Sequence, residues 1–440
     1  MDRINRMVLK FRDVLAETER LDPKNLRAYQ EKLLSLLIRH ARRNVPFYED
    51  RLAPLFRGDD VDFSRWSEVP ILTRAEAQRR TQALTAASVP PHAGPVEAGE
   101  TSGSTGRPLS YLRNEITNVA ALALTDRTFR HWNFDGNKSM ATFTSEFSHL
   151  APPPHGATRE GWRAGYRGKH YLLGSSADTD AQIEWLRARS PHYLTMQSST
   201  LFALAERVRV RGIEMRLEGI VSKATTLTDE IREACREAFG VRPVDRYGAS
   251  EVGSMASECP HCGLYHVDAE GVVIEILRDD GTPCRPGETG RLIATALYNY
   301  AMPFIRYEIG DYAMVGPSRV KCPVKLPTVS RIFGRYRNMF TLSDGRIIYP
   351  DLNTTSLRTF ISFEQMQVVQ TDYDRIEVRY VPLHGERYLD EAGLEAYVRE
   401  ALDSGLRVRA IAVEEIPRAA SGKFEDFLSL VPHHRTDAGG

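Results

Sequence analysis

A short run of hydroxyl, glycine and basic residues carries the clearest chemical pattern in the chain. The run is Thr101-Ser102-Gly103-Ser104-Thr105-Gly106-Arg107-Pro108, with four hydroxyl side chains and two glycines in its first six positions. Glycines let backbone N–H groups turn toward a ligand, hydroxyls donate to phosphate oxygens, and an arginine pairs with phosphate. The spacing is not that of a Walker A loop. Alone, the run predicts either a polyphosphate-binding loop or a flexible surface loop.

Four further motifs offer groups that suit a nucleotide. In Tyr247-Gly248-Ala249-Ser250-Glu251 the tyrosine suits stacking on a base and the glutamate suits a divalent cation. Arg306-Tyr307-Glu308-Ile309-Gly310-Asp311 ends on a carboxylate that suits ribose hydroxyls. Arg335 of Gly334-Arg335 suits phosphate or ribose, and Lys423 of Ser421-Gly422-Lys423 suits a reacting phosphate. Singly, each motif is explained as well by a turn or a solvated side chain.

The elements that must position these motifs can be predicted from periodicity. Apolar residues three and four apart predict helices, which alternate with short apolar runs, at 24–44, 114–133, 179–190 and 199–211. Strands are predicted at 217–221, 272–277, 290–296 and 311–315, and the Pro- and Gly-rich stretch 149–169 is predicted as a mobile loop. After residue 338, strands at 345–349, 365–370, 375–381 and 407–413 accompany a helix at 389–403.

This order of elements predicts an α/β fold in two domains. A large N-terminal α/β domain with mixed sheets is expected at 1–337, and a small mobile α+β domain is expected at 338–440. Lys+Arg and Asp+Glu number 58 each, so charge gives no case for nucleic acid or a membrane surface as partner. No run of 18 apolar residues occurs, and the odd count of five cysteines favours a reducing cytoplasm.

Taken together, the order and spacing of the five motifs resemble the adenylate-forming (acyl-activating) enzyme superfamily. The segments Ala301-Met302-Pro303-Phe304-Ile305-Arg306-Tyr307 and Ala41-Arg42-Arg43-Asn44-Val45-Pro46-Phe47-Tyr48 resemble its phenylacetate–CoA ligase branch. The resemblance extends from about residue 35 to about residue 427. It implies that a carboxylic acid and ATP form an acyl-adenylate and pyrophosphate, after which coenzyme A takes the acyl group as a thioester.

The resemblance also implies a role for each motif. Thr101–Arg107 would bind the β- and γ-phosphates, and Tyr247 and Gly248 would pack near adenine. Glu251 would hold Mg²⁺, and Asp311 would bind the ribose hydroxyls. Arg335 would support ribose or phosphate. Lys423 would stabilise charge between the carboxylate and the α-phosphate, delivered by rotation of the small domain.

Cysteines 259, 262 and 322 and His266 form a metal-ligand pattern. Three thiolates and one imidazole match a closed structural zinc site, while the alternative is reduced cysteines in a loop. Members of the resembled branch can carry a similar cluster with a C-x-C in the later segment. Val320 stands at the first position of that pair, so Cys262 would supply the missing ligand. Cys235 and Cys284 are expected to be structural or incidental.

Three positions depart from the resembled pattern and leave the acceptor open. Asn338 replaces an acidic hinge residue, Ser222-Lys223-Ala224-Thr225 replaces a glycine-rich adenine segment, and Arg107 replaces a lysine. An amine or a carrier-protein thiol is therefore an alternative to coenzyme A. A non-catalytic nucleotide-binding subunit is a remote alternative, against which Glu251, Asp311 and Lys423 argue. Phe143, Phe147 and His149 permit an aromatic acid, and a monomer or a homodimer is expected.

Overall fold

The protein forms two compact units, each with its own core. The computed structural model describes residues 2–101, 108–144, 150–335, 339–348, 350, 352, 354–383, 388–416 and 427–431. The first unit comprises Met1–Leu227 and Ile231–Ile332, and the second comprises Thr228–Glu230 and Phe333–Gly440. All the site geometry reported below lies in the first unit.

The five helices predicted with bounds are all present close to those bounds, and further helices that were not predicted accompany them. Their bounds are α1 (Arg3–Thr18), α2 (Pro23–Asn44), α3 (Arg74–Arg79), α4 (Thr81–Leu84), α5 (Glu115–His131), α6 (Thr179–Arg189), α7 (Ser198–Val210), α8 (Asp229–Phe239), α9 (Thr354–Arg358) and α10 (Glu391–Ala401). Capping residues fix where several helices begin. The Asp22 carboxylate caps α2, Pro23 occupies the first turn of α2, and Asp178 caps α6.

The strands fall into one large sheet and several small ones. Strands of the first unit are β1 (Phe56–Arg57), β2 (Asp60–Val61), β3 (Val96–Glu100), β4 (Ser110–Asn114), β5 (Met140–Thr144), β6 (Ala157–Glu160), β7 (Lys169–Gly174), β8 (Tyr193–Gln197), β9 (Gly219–Lys223), β10 (Val244–Ala249), β11 (Gly253–Glu258), β12 (Tyr265–Val267), β13 (Val272–Leu277), β14 (Thr289–Ala296), β15 (Tyr307–Val315) and β16 (Thr328–Arg335), the last of which continues past Ile332. Strands of the second unit are β17 (Phe340–Thr341), β18 (Ile347–Ile348), β19 (Phe363–Asp372), β20 (Arg375–Pro382), β21 (Arg407–Ala412) and β22 (Phe427–Ser429).

The large sheet has a parallel half and an antiparallel half, except that the edge strand β6 of the parallel half pairs antiparallel with β7. It has 12 strands in the order β13-β14-β15-β16-β12-β11-β10-β9-β8-β5-β7-β6. Strands β5 and β7 to β10 run parallel, whereas β10 pairs antiparallel with β11 on its other side. The predicted α/β class with mixed sheets is therefore confirmed, and β10 is the boundary between the two halves.

One face of the parallel half is covered by helices. Side chains of β5, β8 and β9 pack with those of α6, α7 and α8 in a single buried cluster that includes Phe143, Leu194 and Ile220. Helices are expected on such a face because crossovers between parallel strands place them there. A separate two-stranded ribbon, β3 with β4, leads into and out of the 101–109 segment.

The prediction of a loop at 149–169 is wrong for a part of the stretch that the structure describes. Residues 157–160 form β6, which pairs antiparallel with β7. Arg163 is buried and its Nε donates to Asp126 of α5 over 2.6 Å. Proline and glycine obscured the strand signal, and a buried ion pair between distant residues has no local sequence pattern.

The second unit is a small α+β assembly. Its sheet has the order β21-β20-β19-β22, with β19 and β20 antiparallel and β22 parallel to β19. Buried residues of these strands, such as Val368 and Val378, pack with Leu394 and Val398 of α10. A strand was predicted at 345–349; among its described residues, 345–348, the strand is Ile347–Ile348.

Among the described residues, no helix is both long enough and apolar enough to span a membrane.

Candidate active site and metal-ligand cluster

Three of the predicted motifs meet around one arginine at the sheet boundary. Glu251 follows β10 and is 3% exposed, and its Oε1 accepts hydrogen bonds from Tyr307 Oη (3.0 Å) and Arg74 Nη1 (3.0 Å). Arg74 Nη2 donates to Thr101 Oγ1 over 2.7 Å. Burial, followed by the nearby Glu251 carboxylate, raises the pKa of Tyr307, so this hydroxyl stays protonated and donates. Residues separated by more than 200 positions thus form one polar cluster.

Thr101 is fixed at the start of the predicted phosphate-binding run. Its N–H donates to the Leu109 carbonyl over 3.0 Å, and its Oγ1 accepts from the Leu109 N–H over 2.9 Å. The two ends of the run are therefore joined where β3 meets β4. The residues between them, Ser102 to Arg107, lie outside the described residues.

A second contact links the predicted adenine and ribose groups. The Tyr247 hydroxyl of β10 donates to Asp311 Oδ2 of β15 over 2.6 Å. A Cβ on Gly248 would lie 2.5 Å from the Gly253 carbonyl oxygen, so only glycine lets β10 and β11 approach here. This close approach tightens the turn that carries Glu251.

Other predicted groups fall outside this geometry. Lys423, Asn338, Phe147 and His149 lie outside the described residues, and Arg335 is the last residue of β16. The predicted roles of Lys423 and Arg335 therefore stay predictions.

The segment that replaces a glycine-rich stretch keeps a glycine-like backbone. Ala224 has φ of 72°, a left-handed value that a side chain disfavours. The turn is held by Ser198 Oγ, which contacts the Ser222 hydroxyl and donates to the Thr225 carbonyl over 2.8 Å. The backbone shape is thus maintained by hydroxyl contacts.

The other face of the parallel strands carries several polar side chains beside a buried apolar cluster that includes Met140, Tyr193 and Val221. Strand register places Thr142 beside Thr195, Met140 beside His170, and Gln197 beside Lys223, all on the face opposite the helix-packed one. Thr142 Oγ1 lies 2.9 Å from His170 Nε2. Burial, with the charges of Arg159 and Lys223, lowers the pKa of His170 to about 4, so it is neutral near pH 7.

Phe143 does not line this face. Its side chain is 3% exposed and packs edge-on against Trp185, with ring centroids 5.6 Å apart. Because side chains alternate along a strand, Phe143 points away from Thr142 and into the helix-covered core. The expectation that it contributes to an acid pocket is wrong.

The cysteine–histidine residues form one compact cluster. Cys259 and Cys262 follow β11, His266 lies in β12, and Cys322 comes from the segment before β16; their ligand atoms all lie within 4.8 Å of one another. Cys259 Sγ lies 3.7 Å from Cys322 Sγ, and His266 Nε2 lies 3.4 Å from Cys322 Sγ and 3.5 Å from Cys262 Sγ. Cys235 and Cys284 are not in the cluster.

These distances between ligand atoms fit a tetrahedrally coordinated zinc ion. Zinc–sulfur bonds of about 2.3 Å and zinc–nitrogen bonds of about 2.0 Å place tetrahedral S···S pairs about 3.8 Å apart and S···N pairs about 3.5 Å apart. The Leu326 carbonyl lies 3.0 Å from His266 Nδ1, which fixes the ring with Nε2 toward the sulfurs. Burial raises the pKa of Cys259 to about 12, so its thiolate needs a cation nearby.

The fold is that of adenylate-forming ligases. A solved structure of 2-hydroxyisobutyryl-CoA ligase, in its postadenylation state with an acyl-AMP, superposes with a TM-score of 0.73 at 17% identity, covering 94% of this chain and 91% of that one. The O-succinylbenzoate coenzyme A synthetase of Bacillus subtilis, solved with AMP, gives 0.52 at 15% identity, covering 74% and 67%.

Sequence comparison is more specific. The phenylacetate-coenzyme A ligase of Thermus thermophilus is 25% identical over 401 residues, covering 87% of this chain and 84% of the relative. The enzyme of the same name from Escherichia coli K12 is 27% identical over 361 residues, covering 76% of each chain. No family model matches the sequence. The resemblance to the phenylacetate–CoA ligase branch, predicted from the segments 301–307 and 41–48, is confirmed.

Sequence reasoning missed Arg74 entirely. It lies at the first residue of α3, in a stretch that offers no motif, and only the tertiary structure brings it to Glu251. A weak signal existed: Thr73 and Glu76 have the spacing of a helix start, which would have placed Arg74 on a fixed first turn.

Proposed function

We propose that the protein is an AMP-forming acid–thiol ligase. It activates a carboxylic acid with ATP as an acyl-adenylate, releases pyrophosphate, and transfers the acyl group to coenzyme A. One observation carries the proposal: the Thr101, Glu251 and Tyr307 motifs converge in a chain similar, over most of its length, to phenylacetate-coenzyme A ligases.

The proposed roles follow the chemistry of each group. Thr101–Arg107 would bind the β- and γ-phosphates, Glu251 would hold Mg²⁺, and Asp311 would bind the ribose hydroxyls. Tyr247 and Gly248 would pack near adenine, and Arg335 would support ribose or phosphate. Lys423, from a mobile domain proposed at 338–440, would stabilise charge as the carboxylate attacks the α-phosphate, while the rest of the machinery lies in the domain at 1–337. Bound Mg²⁺ would neutralise charge on the pyrophosphate leaving group.

We further propose a structural zinc ion at Cys259, Cys262, His266 and Cys322. The support is the near-tetrahedral spacing and the carbonyl that orients His266. Such an ion would join the β11–β12 hairpin to the segment before β16. This zinc ion would have sulfur and nitrogen ligands, whereas the magnesium ion proposed at Glu251 would have oxygen ligands.

The acid is proposed to be aromatic and to carry hydrogen-bonding substituents. The relatives are named for phenylacetate, which supports an aryl acid. Gln197 is the last residue of β8 and lies at the carboxyl end of the parallel strands, where α/β sheets place ligands, with Thr142 and Thr195 behind it in mid-strand. A hydrogen-bonding substituent on the acid would meet the Gln197 amide, whereas Thr142 and Thr195 already contact His170 and Met140.

An acid-panel assay of ATP–pyrophosphate exchange tests the proposal. We expect exchange that depends on the acid, with hydroxyl- or amino-substituted aryl acids exceeding phenylacetate. Absence of exchange across a broad panel that includes aliphatic acids would contradict adenylation and leave a nucleotide-binding subunit as the better explanation.

Product analysis then identifies the acceptor. With the best acid, we expect a coenzyme A thioester and no amide when candidate amines are supplied. An amide product, or acylation of a carrier-protein thiol in preference to coenzyme A, would contradict the proposal of a coenzyme A thioester.

The reaction is proposed to take place in the cytoplasm, in a monomer or homodimer.

A further inference from the structure

Arg74 occupies a central position that no motif assigns. Its guanidinium contacts Glu251 (3.0 Å), Thr101 (2.7 Å) and the Tyr307 hydroxyl (3.3 Å), and its side chain is 15% exposed. Each of these partners comes from a different motif of the proposed nucleotide site. One cation therefore joins the proposed magnesium carboxylate to the start of the proposed phosphate loop.

The backbone holds Arg74 in place. Leu72 forms a parallel bridge with Tyr307: the Leu72 N–H donates to the Arg306 carbonyl, and the Glu308 N–H donates to the Leu72 carbonyl, both over 2.9 Å. Thr73 then caps α3, of which Arg74 is the first residue. The backbone that carries Arg74 is thus fixed relative to β15.

The two oxygens of the Glu251 carboxylate have different hydrogen bonds. Both the Arg74 and the Tyr307 hydrogen bonds fall on Oε1. A divalent cation that binds through Oε2 would break neither of them. Within the part of the chain that the structure describes, the buried Arg74 Nε has no hydrogen-bond partner, so the guanidinium retains a donor at the site.

We propose that Arg74 is a positioning residue for Mg·ATP. It holds Glu251 through Oε1 so that Oε2 is presented to magnesium, and it holds Thr101 so that the phosphate loop starts beside that ion. This inference rests on the proposed function, and it names a residue that acts on the triphosphate end of the nucleotide only.

Arg51 provides a matched control. Its side chain is 16% exposed, it pairs with the Glu76 carboxylate over 3.1 Å, and its Nε is likewise buried without a partner among the described residues. Glu76 lies on α3, two residues beyond Arg74. Arg51→Gln therefore removes a similar ion pair, together with the hydrogen bond from Arg51 Nη2 to the Ile71 carbonyl over 2.8 Å, without touching Glu251 or Thr101.

The test compares Arg74→Gln, Arg74→Lys and Arg51→Gln in the full chain. For Arg74→Gln we expect the Kd of Mg·ATP to rise about tenfold or more and the magnesium concentration for half-maximal exchange to rise several-fold, with the Kd of AMP within about twofold. Arg74→Lys should recover part of the loss. Arg51→Gln should lower the melting temperature comparably and leave both affinities unchanged.

A second variant keeps the test decisive if Arg74→Gln folds poorly. Tyr307→Phe removes the other hydrogen bond to Oε1 without changing charge, and it should raise the magnesium requirement while sparing AMP. Unchanged magnesium dependence in these variants, an equal loss of AMP binding, or the same affinity loss in Arg51→Gln would overturn the inference. If wild-type protein binds no Mg·ATP in calorimetry, the proposed function fails instead.

Discussion

At the scale of single residues, the proposed nucleoside end of the site depends on a pair. The hydrogen bond of 2.6 Å between Tyr247 and Asp311 gives both side chains a fixed starting geometry. A ribose hydroxyl would have to share or replace this bond. A carboxylate can accept several hydrogen bonds, so we expect Asp311 to contribute more to nucleotide affinity than the Tyr247 hydroxyl.

We predict that Asp311→Ala weakens AMP and ATP binding by the same factor, about tenfold or more, or ~1.4 kcal/mol per tenfold. Tyr247→Phe, which keeps the ring, should change both affinities by less than about threefold. Calorimetric titration with each nucleotide measures this. A loss confined to ATP would mean that Asp311 acts on the phosphates.

His170 gives a prediction for pH. Its pKa is lowered to about 4 in the folded protein by burial and by the charges of Arg159 and Lys223, whereas the unfolded chain titrates near 6.5. Below pH 6.5 the unfolded state gains a proton that the folded state lacks. Stability contributed by neutral His170 is therefore full above pH 6.5 and is lost as pH falls toward 4.

The expected contribution is on the order of 2 kcal/mol in the free energy of unfolding between pH 7 and pH 4. His170→Gln, which keeps a hydrogen-bonding group near Thr142, should flatten this part of the pH profile. His192→Gln, at an exposed histidine, is the control and should follow wild type. Denaturant unfolding at several pH values measures the difference, and identical profiles for wild type and His170→Gln would contradict it.

At the scale of elements, the zinc proposal concerns a hairpin and a distant segment. Three ligands come from the β11–β12 hairpin and its turn, and Cys322 comes from the segment before β16. The same segment is tied to the N-terminal helices, because the Lys325 N–H donates to the Glu19 carbonyl over 2.7 Å. Loss of a metal here should loosen several elements together.

We predict that chelator-washed protein retains about one zinc per chain. Cys322→Ala should lose the metal and lower the melting temperature by several degrees, because it removes a ligand from a buried cluster. Cys284→Ala, a half-buried cysteine outside the cluster, is the control and should keep the metal. Elemental analysis with thermal denaturation measures both, and a metal-free wild type would refute the site.

Elements with strong periodicity could be predicted from the sequence, whereas contacts between distant elements could be predicted only where ligand chemistry marked them. Helix 24–44 was expected and α2 is Pro23–Asn44, because its apolar stripe and its capping residues are local signals. β6 was missed because proline and glycine surround it, and its stability comes from β7. The clustering of Cys322 with the hairpin was predicted from ligand chemistry. No sequence pattern identified Arg74, because an arginine at the start of a helix is common.

At the scale of the whole molecule, the proposed reaction has two halves that use different groups. Adenylate formation brings a carboxylate against the α-phosphate, where Lys423 is proposed to offset developing charge. Thioester formation breaks the acyl–phosphate bond and does not repeat that step. The two halves are therefore separable by mutation.

We predict that Lys423→Ala abolishes adenylate formation while ATP affinity stays within about tenfold, or ~1.4 kcal/mol. The same variant should still convert a supplied acyl-adenylate and coenzyme A to the thioester. Pyrophosphate exchange measures the first half and thioester formation from synthetic adenylate measures the second. Normal exchange by Lys423→Ala would remove its assigned role.

The two hydrogen bonds between Thr101 and Leu109 have a consequence for how the 101–109 segment can change. They join the ends of the segment into a ring whose mouth is set by the β3–β4 ribbon. Because the free energy of closing a ring grows only with the logarithm of its length, adding one or two residues costs a few tenths of a kcal/mol at most. Insertions of one or two residues between Thr101 and Leu109 should therefore leave the β3–β4 ribbon and its stability nearly unchanged.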